Sequence, residues 1–349
     1  MSRSPARHPL GLVALAALGI ALACLGAAAG ESPAPAATPA AGGSPAAKAR
    51  IPVIFDTDIG DDIDDTWALA LILKSPELDL KLVVGDCGKN VYRAKLLARF
   101  LQGAGRSDVP VGLGLPLKTG DKGGRQDEWV KDYDLKSYPG KVLPDGVQAM
   151  IDMIMSSPEP ITVIAVGPVQ NLEAALAREP RIAQKARFVG MHGSLRKGYG
   201  NEDKPKAEYN VKLAPAACQK VFTAAWDMTI TPLDTCGIVR LKGDKFAAVR
   251  DSKDAIAAMV IQNYRFWAVA GKVKNADVES SILFDTVAVY LAFSQDLCVM
   301  ETLGVRVDDK GFTLIDPQAK KVNAAMAWKD LGAYEDLLVK RLTGPTPSK

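Results

Sequence analysis

From Ile51 onward, short β-branched runs alternate with longer helical patterns, and that alternation confines the chain to an α/β fold built on a mostly parallel sheet. PVIF (residues 52–55) reads as a buried strand, followed by a helix that starts near Thr66. LKLVVG (80–85) is the next strand, and VYRAKLLARFLQ (91–102) is an amphipathic helix stopped by Gly103. Asp145 caps GVQAMIDMIM, which leads into the strand ITVIAVG (161–167), and NLEAALAREP returns as a helix closed by Pro180. ARFVGM (186–191) and MTITPL (228–233) predict two more strands, with the helix AACQKVFTAA (216–225) between them. VRVDDKGFTLI (305–315) reads as a hairpin turning at Asp309, Lys310 and Gly311. The expected architecture is an open, mostly parallel central sheet covered by helices, with its ligand site at the carboxyl edge of the strands. The polar, Gly-rich stretch 118–144 is too long for an ordinary connection and is expected to be functional or disordered.

The ends of the chain read differently from the middle. Arg3 and Arg7 precede an apolar run (10–25), and Ala27, Ala28 and Ala29 follow, the order of a secretory signal peptide over residues 1–29. Export would place the protein in the periplasm, or on a membrane as a lipoprotein if Cys24, in LALACLG, carries a lipid anchor. Residues 30–50 are rich in proline and alanine and read as a tether. One domain, 51–345, remains. A net charge of +3 with no basic stripe excludes a nucleic-acid surface and favours a small-molecule partner. Cys87, Cys218, Cys236 and Cys298 form no CxxC pair, which excludes a structural zinc site and leaves buried thiols, or disulfides permitted by export. Whether the chain forms a homo-oligomer is left open.

The string DTDIGDDIDD places Asp56, Asp58, Asp61, Asp62, Asp64 and Asp65 at the join between the first strand and its helix. Helix capping accounts for one or two aspartates, at about 0.3–1 kcal/mol each. It does not account for six. Carboxylates this close repel one another, and a hard cation with oxygen ligands relieves them. An EF-hand is excluded, because no aspartate here has both the glycine at the sixth loop position and the glutamate at the twelfth.

The strand with DTDIGDDIDD resembles the signature of the inosine/uridine-preferring nucleoside hydrolases. AVGPVQNLEAAL (165–176) resembles that family's T-G-P-x-T-N-x-A segment, GNEDKPKAEYNV (200–211) its G-N…A-E-F-N segment, and FDTVAV (284–289) its H-D-P-x-A segment, all in the family's order. The resemblance implies a calcium-dependent N-ribosyl hydrolase acting on a nucleoside. Calcium would be held by Asp58, Asp65, the Val166 carbonyl and Asp285, with Asp58 taking a proton from the attacking water. Asp64, Asn201, Glu208 and Asn210 would hold ribose hydroxyls, and Asp86, Trp129 and Trp267 are also assigned to the substrate. The family's spacing from D-x-D to D-D is two residues shorter, which leaves either Asp62 or Asp64 to face the ribose.

Family members with broad base preference carry a histidine just before the late aspartate, to protonate the departing base. Phe284 stands there in this chain. His192, in MHGS where members usually have glycine, is either a substitute acid or a structural residue. Stacking on aromatic rings is the other route, with Trp129, Tyr133, Tyr264 and Trp267 as candidates; Tyr264 and Trp267, at helical spacing, also read as core. Two competing readings are a haloacid-dehalogenase-like phosphatase using Asp56 and Asp58 around magnesium, and a non-catalytic periplasmic nucleoside or sugar binder. Against the first, GDCGKN (85–90) comes too early for that family's late acidic string.

Overall fold

The computed structural model describes residues 49–115 and 124–347. Its strands are β1 (Ile51–Thr57), β2 (Leu78–Gly85), β3 (Val111–Leu113), β4 (Val142–Leu143), β5 (Ile161–Ala165), β6 (Ala186–Met191), β7 (Met228–Thr231), β8 (Cys298–Val307), β9 (Thr313–Ile315) and β10 (Lys321–Trp328). They form one sheet in the order β4-β3-β2-β1-β5-β6-β7-β10-β8-β9. Strands β1 to β7 are parallel, β10 runs parallel to β7 and antiparallel to β8, and β8 and β9 pair antiparallel. The chain leaves β1 for β2 on one side and later returns to β5 on the other. That reversal opens a crevice at the carboxyl ends of β1 and β5, where a doubly wound sheet binds its ligands.

Burial explains the sequence patterns. The last five residues of β1 are buried, as a strand covered on both faces requires. The helix Asp64–Lys74 is buried at every position, because it lies between the sheet and the helices Ala255–Ala270, Phe284–Phe293 and Leu331–Thr343. An all-round apolar string such as WALALIL is what such a site selects. The opposite face of the sheet is covered by the helices Gly146–Ser156, Gln170–Arg178 and Pro215–Thr223. The hairpin joins β8 to β9, with Gly311 at φ +80° and its N–H donating to the Asp308 carbonyl at 3.0 Å.

Two expectations need correction. The described part of the stretch 118–144 is not a bare loop: it holds the helix Asp127–Val130, a 3-10 turn at Leu135–Ser137 and the edge strand β4, which pairs with β3. Trp129 and Val130 anchor it by burial. β10 was not anticipated, because its alanine-rich KVNAAMAW carries little intrinsic strand preference; pairing with both β7 and β8 fixes it. Cys87, Cys218, Cys236 and Cys298 are buried free thiols. The expected signal peptide, nearly all of the tether, and Cys24 lie outside the described residues.

Lys74 ties the first helix to the wall of the site. Its buried Nζ lies 2.6 Å from Asp254 Oδ2 and also donates to the Gly344 carbonyl. Asp254 in turn caps the helix Ala255–Ala270 by accepting from Ile256 N (3.0 Å) and Ala257 N (3.1 Å). Lys74→Met strands a carboxylate and a carbonyl together and should cost about 3 kcal/mol, the lower end for breaking a buried pair since Asp254 is partly solvated. Urea unfolding measures it, and a loss below about 0.5 kcal/mol, the scale of an exposed pair, would refute the structural role.

Candidate active site

The acidic loop is held by Thr57, Arg93 and Tyr92, mostly through its backbone. Thr57 Oγ1 donates to Asp65 Oδ1 and accepts from Ile59 N at 3.1 Å. The buried Arg93 donates to the carbonyls of Asp58, Ile59 (2.7 Å) and Cys87 (2.5 Å), so one guanidinium clamps the loop that follows β1 to the one that follows β2. Gly60 has φ +110°, and a Cβ there would lie 2.6 Å from the Tyr92 ring, whose hydroxyl donates to the Gly60 carbonyl at 3.1 Å. The helix starts at Asp64. Asp64 and Asp65 are therefore buried in its first turn, while Asp61 is half-buried and Asp62 exposed.

A cavity of about 100 Å³ opens above this loop. Asp58, Asp61, Asp62, Asp64 and Asp65 line it from the loop and helix start after β1, Val166 from just past β5, Glu208 and Asn210 from the segment after β6, and Asp285 from the start of the helix Phe284–Phe293. Carboxylate oxygens of Asp64, Asp65 and Asp285 lie within 4.8 Å of one another, and Asp285 N donates to Asp64 Oδ2 at 3.2 Å. Asn210 Nδ2 donates to the carbonyls of Val166 (2.9 Å) and Met191 (3.0 Å). Glu208 accepts from Asn210 N (2.8 Å), Gly193 N (3.0 Å) and Val211 N (3.3 Å), capping the short helix Tyr209–Leu213.

Burial pushes Asp64, Asp65 and Asp285 well above the ordinary carboxylate range, and repulsion among these groups and from Asp58 pushes the same way. Burial also raises Asp56 to about 7 against the hydrogen bond from Asn171, and Glu208 to about 7 against its three backbone N–H donors. A cation among the carboxylates reverses this by favouring their ionised form. The donor set is all oxygen, carboxylate and carbonyl, which fits a hard divalent ion and not a thiolate-seeking one.

A second, outer cavity of about 460 Å³ shares Asp62 and Phe284 with the first. Tyr264 and Trp267 line it, ring planes 25° apart and centroids 5.7 Å apart, and Trp267 Nε1 donates to the Asp61 carbonyl at 3.1 Å. The Arg125 guanidinium lies 3.7 Å above the Trp267 ring.

Residues 53–331 match the family model of the inosine-uridine preferring nucleoside hydrolases. The chain belongs to this family of N-glycosyl hydrolases. It is 28% identical over 317 residues to a pyrimidine-specific ribonucleoside hydrolase of Citrobacter koseri, covering 84% of this chain and 98% of that one. It is 34% identical over 209 residues to a non-specific ribonucleoside hydrolase of Klebsiella pneumoniae, covering 57% and 67%. In fold it is similar to a plant nucleoside hydrolase (TM-score 0.73, 24% identity, 85% of this chain and 100% of that chain). It is also similar to a purine-preferring ribonucleoside hydrolase from Gardnerella vaginalis (TM-score 0.71, 21% identity, 84% and 98%). Family membership sets aside the phosphatase reading.

Not every residue anticipated from this family reaches the site. Asp58, Asp62, Asp64, Asp65, Val166, Glu208, Asn210 and Asp285 share the inner cavity, and Trp267 lines the outer one. Trp129 lines neither: it is buried against Phe100 and Arg99, with its indole N–H donating to Gln262 Oε1 at 3.0 Å, so it has no face to offer a base. Tyr133 lines neither and donates to Gln102 Oε1 at 2.7 Å. Asn201 is exposed in the turn Tyr199–Asn201 at φ +65° and is absent from the cavity lining. Asp86 is buried and lines neither cavity, with neither carboxyl oxygen hydrogen-bonded among the described residues. Tyr199 and Tyr209 line the inner cavity unanticipated, Tyr209 with its hydroxyl donating to Asp61 Oδ2 at 3.0 Å. Tyr209 sits inside the AEYN string, so its neighbours were the available signal.

His192 is fully buried near Phe188 and Phe222, its Nε2 3.0 Å from the Gly167 carbonyl, and lines neither cavity. Desolvation lowers it from 6.5 to about 4, so it is neutral at neutral pH and no substitute acid. The unfolded chain then binds a proton near pH 6.5 that the folded chain refuses until about 4, so stability is lost as pH falls through that window. Comparing unfolding free energies of wild type and His192→Gln from neutral pH to pH 4 should show the wild type losing about 3 kcal/mol more. Parallel pH profiles would show that the imidazole is not buried in its neutral form.

Proposed function

We propose that the chain hydrolyses the N-glycosidic bond of ribonucleosides to free base and ribose, in a calcium-dependent reaction with Asp58 as the base. The observation that carries this reading is the convergence of Asp58, Asp65, Asp285 and the Val166 segment with Glu208 and Asn210 in one small cavity at the β1/β5 crevice. Asp58, Asp65, Asp285 and the Val166 carbonyl would hold calcium, which when bound supplies a Lewis acid that acidifies water and neutralises the cluster.

Asp58 accepts the water proton as the water oxygen bonds to the anomeric carbon. The C–N bond breaks, and the base nitrogen leaves with the electron pair and takes up a proton. The acidic walls stabilise the oxocarbenium-like ribose as this happens. Glu208 and Asn210 orient the sugar hydroxyls. Asp64, buried in the first helical turn, takes the ribose-facing role, and Asp62, exposed at the wall shared by both cavities, faces what the ribose carries.

Incubation with calcium and a nucleoside panel, assayed for free ribose, tests the activity; calcium binding and nucleoside binding without ribose release would make the chain a binder. Asp58→Ala and Asp65→Ala should each abolish both calcium binding and ribose release. Calorimetry showing wild-type calcium affinity in both would overturn the metal assignment. Asp64→Ala should lose more substrate affinity than Asp62→Ala, and equal mild effects would show that neither faces the ribose.

Because burial holds the unliganded carboxyls toward their protonated forms, calcium binding should release protons, and its affinity should go on rising with pH above the ordinary carboxylate range. Calorimetry in buffers of different ionisation enthalpy reads that release. An enthalpy independent of buffer would contradict it.

A further inference from the structure

The two cavities have opposite electrical character. The inner one is lined by carboxylates and no cationic side chain, while the outer one brings in Arg125, Arg240 and Lys274 against Asp62 and Glu279. Glu279 is already engaged, by Arg240 Nη1 at 3.2 Å and Lys242 Nζ at 3.6 Å, and Arg240 also donates to the Ser280 carbonyl at 3.0 Å. Arg125 and Lys274 make no ion pair among the described residues.

Arg125 is also seated with care. Its guanidinium covers a face of Trp267, and Trp267 is itself pinned to the Asp61 carbonyl at 3.1 Å. A Cβ at Gly271 would overlap that guanidinium, so the glycine makes its seat. Arg125 Nε is buried without a hydrogen-bond partner, and so is Ser281 Oγ on the same cavity wall. The nearby Asp62 carboxylate feels the Arg125 charge, but the two unpartnered polar atoms, Arg125 Nε and Ser281 Oγ, are unfavourable to bury unless a ligand completes the site. A base could stack on that face of Trp267 only by displacing the arginine.

We infer that the outer cavity receives an anionic group carried by the ribosyl substrate, and that Arg125 is the residue that selects it. This rests on the hydrolase reading, which puts the ribose in the inner cavity and its substituents in the outer one. The inner volume, about 100 Å³, suits a sugar, and the outer one, about 460 Å³, has room for a charged group beside a base. A substrate with a ribose at one end and an anion at the other matches the polarity of the two chambers. The anion is a carboxylate on the base or a phosphate on the ribose, and the same guanidinium chemistry serves both.

The test uses the full chain with calcium and three substrates: uridine, orotidine as the base carboxylate, and uridine 5′-monophosphate as the ribose phosphate. One anionic substrate should exceed uridine in kcat/KM by roughly tenfold or more, the scale of a charge-assisted hydrogen bond, and which one does so identifies the source. Arg125→Ala should remove that preference, and Arg125→Lys should keep part of it. Gly271→Ala, at φ −86° where alanine is unstrained, should weaken it by unseating the guanidinium while its charge remains.

No preference for either anion in an enzyme that hydrolyses uridine overturns this inference alone, as does an equal loss on all three substrates in Arg125→Ala. Calorimetric binding of the three compounds separates the remaining cases. Arg125-dependent binding of an anion without hydrolysis upholds the inference and overturns the hydrolase reading, and absence of both binding and hydrolysis overturns both.

Discussion

Carboxylates buried together at the carboxyl end of β1 are the constraint on which the rest of the site depends. Nothing in a folded chain favours placing Asp58, Asp64, Asp65 and Asp285 around one small cavity, since desolvation and mutual repulsion both oppose it. The surrounding structure supplies what holds them there. Arg93 clamps the backbone of the loop through its carbonyls, Thr57 binds Asp65, and the dipole of the helix Asp64–Lys74 favours the two aspartates in its first turn. The helix is itself buried on all sides and cannot shift to relax the crowding. The strain is therefore carried by the polar groups at the loop, where a cation relieves it.

The fold was legible because its signal is periodic and local. Continuous β-branched runs marked β1, β2, β5 and β6, and amphipathic spacing marked the helices between them. β10 was not legible, because alanine runs carry no strand signal and only pairing with β7 and β8 makes it one. At the site, the motif residues on element ends came together: Asp58, Asp65, Val166, Glu208, Asn210 and Asp285 are each fixed by a strand end, a cap or a first helical turn. Residues whose place depends on loop conformation did not follow. Asn201 sits in a turn with a left-handed backbone that leaves it exposed, and Trp129 in a polar string is buried by a helix that is distant in sequence. Neither outcome is encoded near the residue in question.

The length of the loop in DTDIGDDIDD has a structural consequence of its own. Because the helix begins at Asp64, Asp61 and Asp62 stay in the loop, outside the buried cluster. Asp61 is then engaged from two directions, its carbonyl by Trp267 and its carboxylate by Tyr209. The loop thus becomes the partition between the inner and outer cavities, joining the helix Ala255–Ala270 to the segment after β6 across the mouth of the site.

Phe284 and His192 together decide what kind of leaving group this partition can serve. Phe284 stands on the wall common to both cavities and offers no proton, with Tyr199 set edge-on to it at 6.2 Å. His192 bonds through Nε2 to the carbonyl of Gly167, the glycine at which a Cβ would lie 2.9 Å from Asp58 N, so its ring props the segment against which Asp58 packs. An imidazole in that place supports the Asp58 segment and lines neither cavity, so on the proposed mechanism it would not reach a departing base. With no imidazole among the described residues lining either cavity, the proposed reaction would favour a base that leaves without needing a strong acid beside it. In that reaction, positive charge on the outer wall would favour departure by offsetting the electron pair the leaving nitrogen carries away.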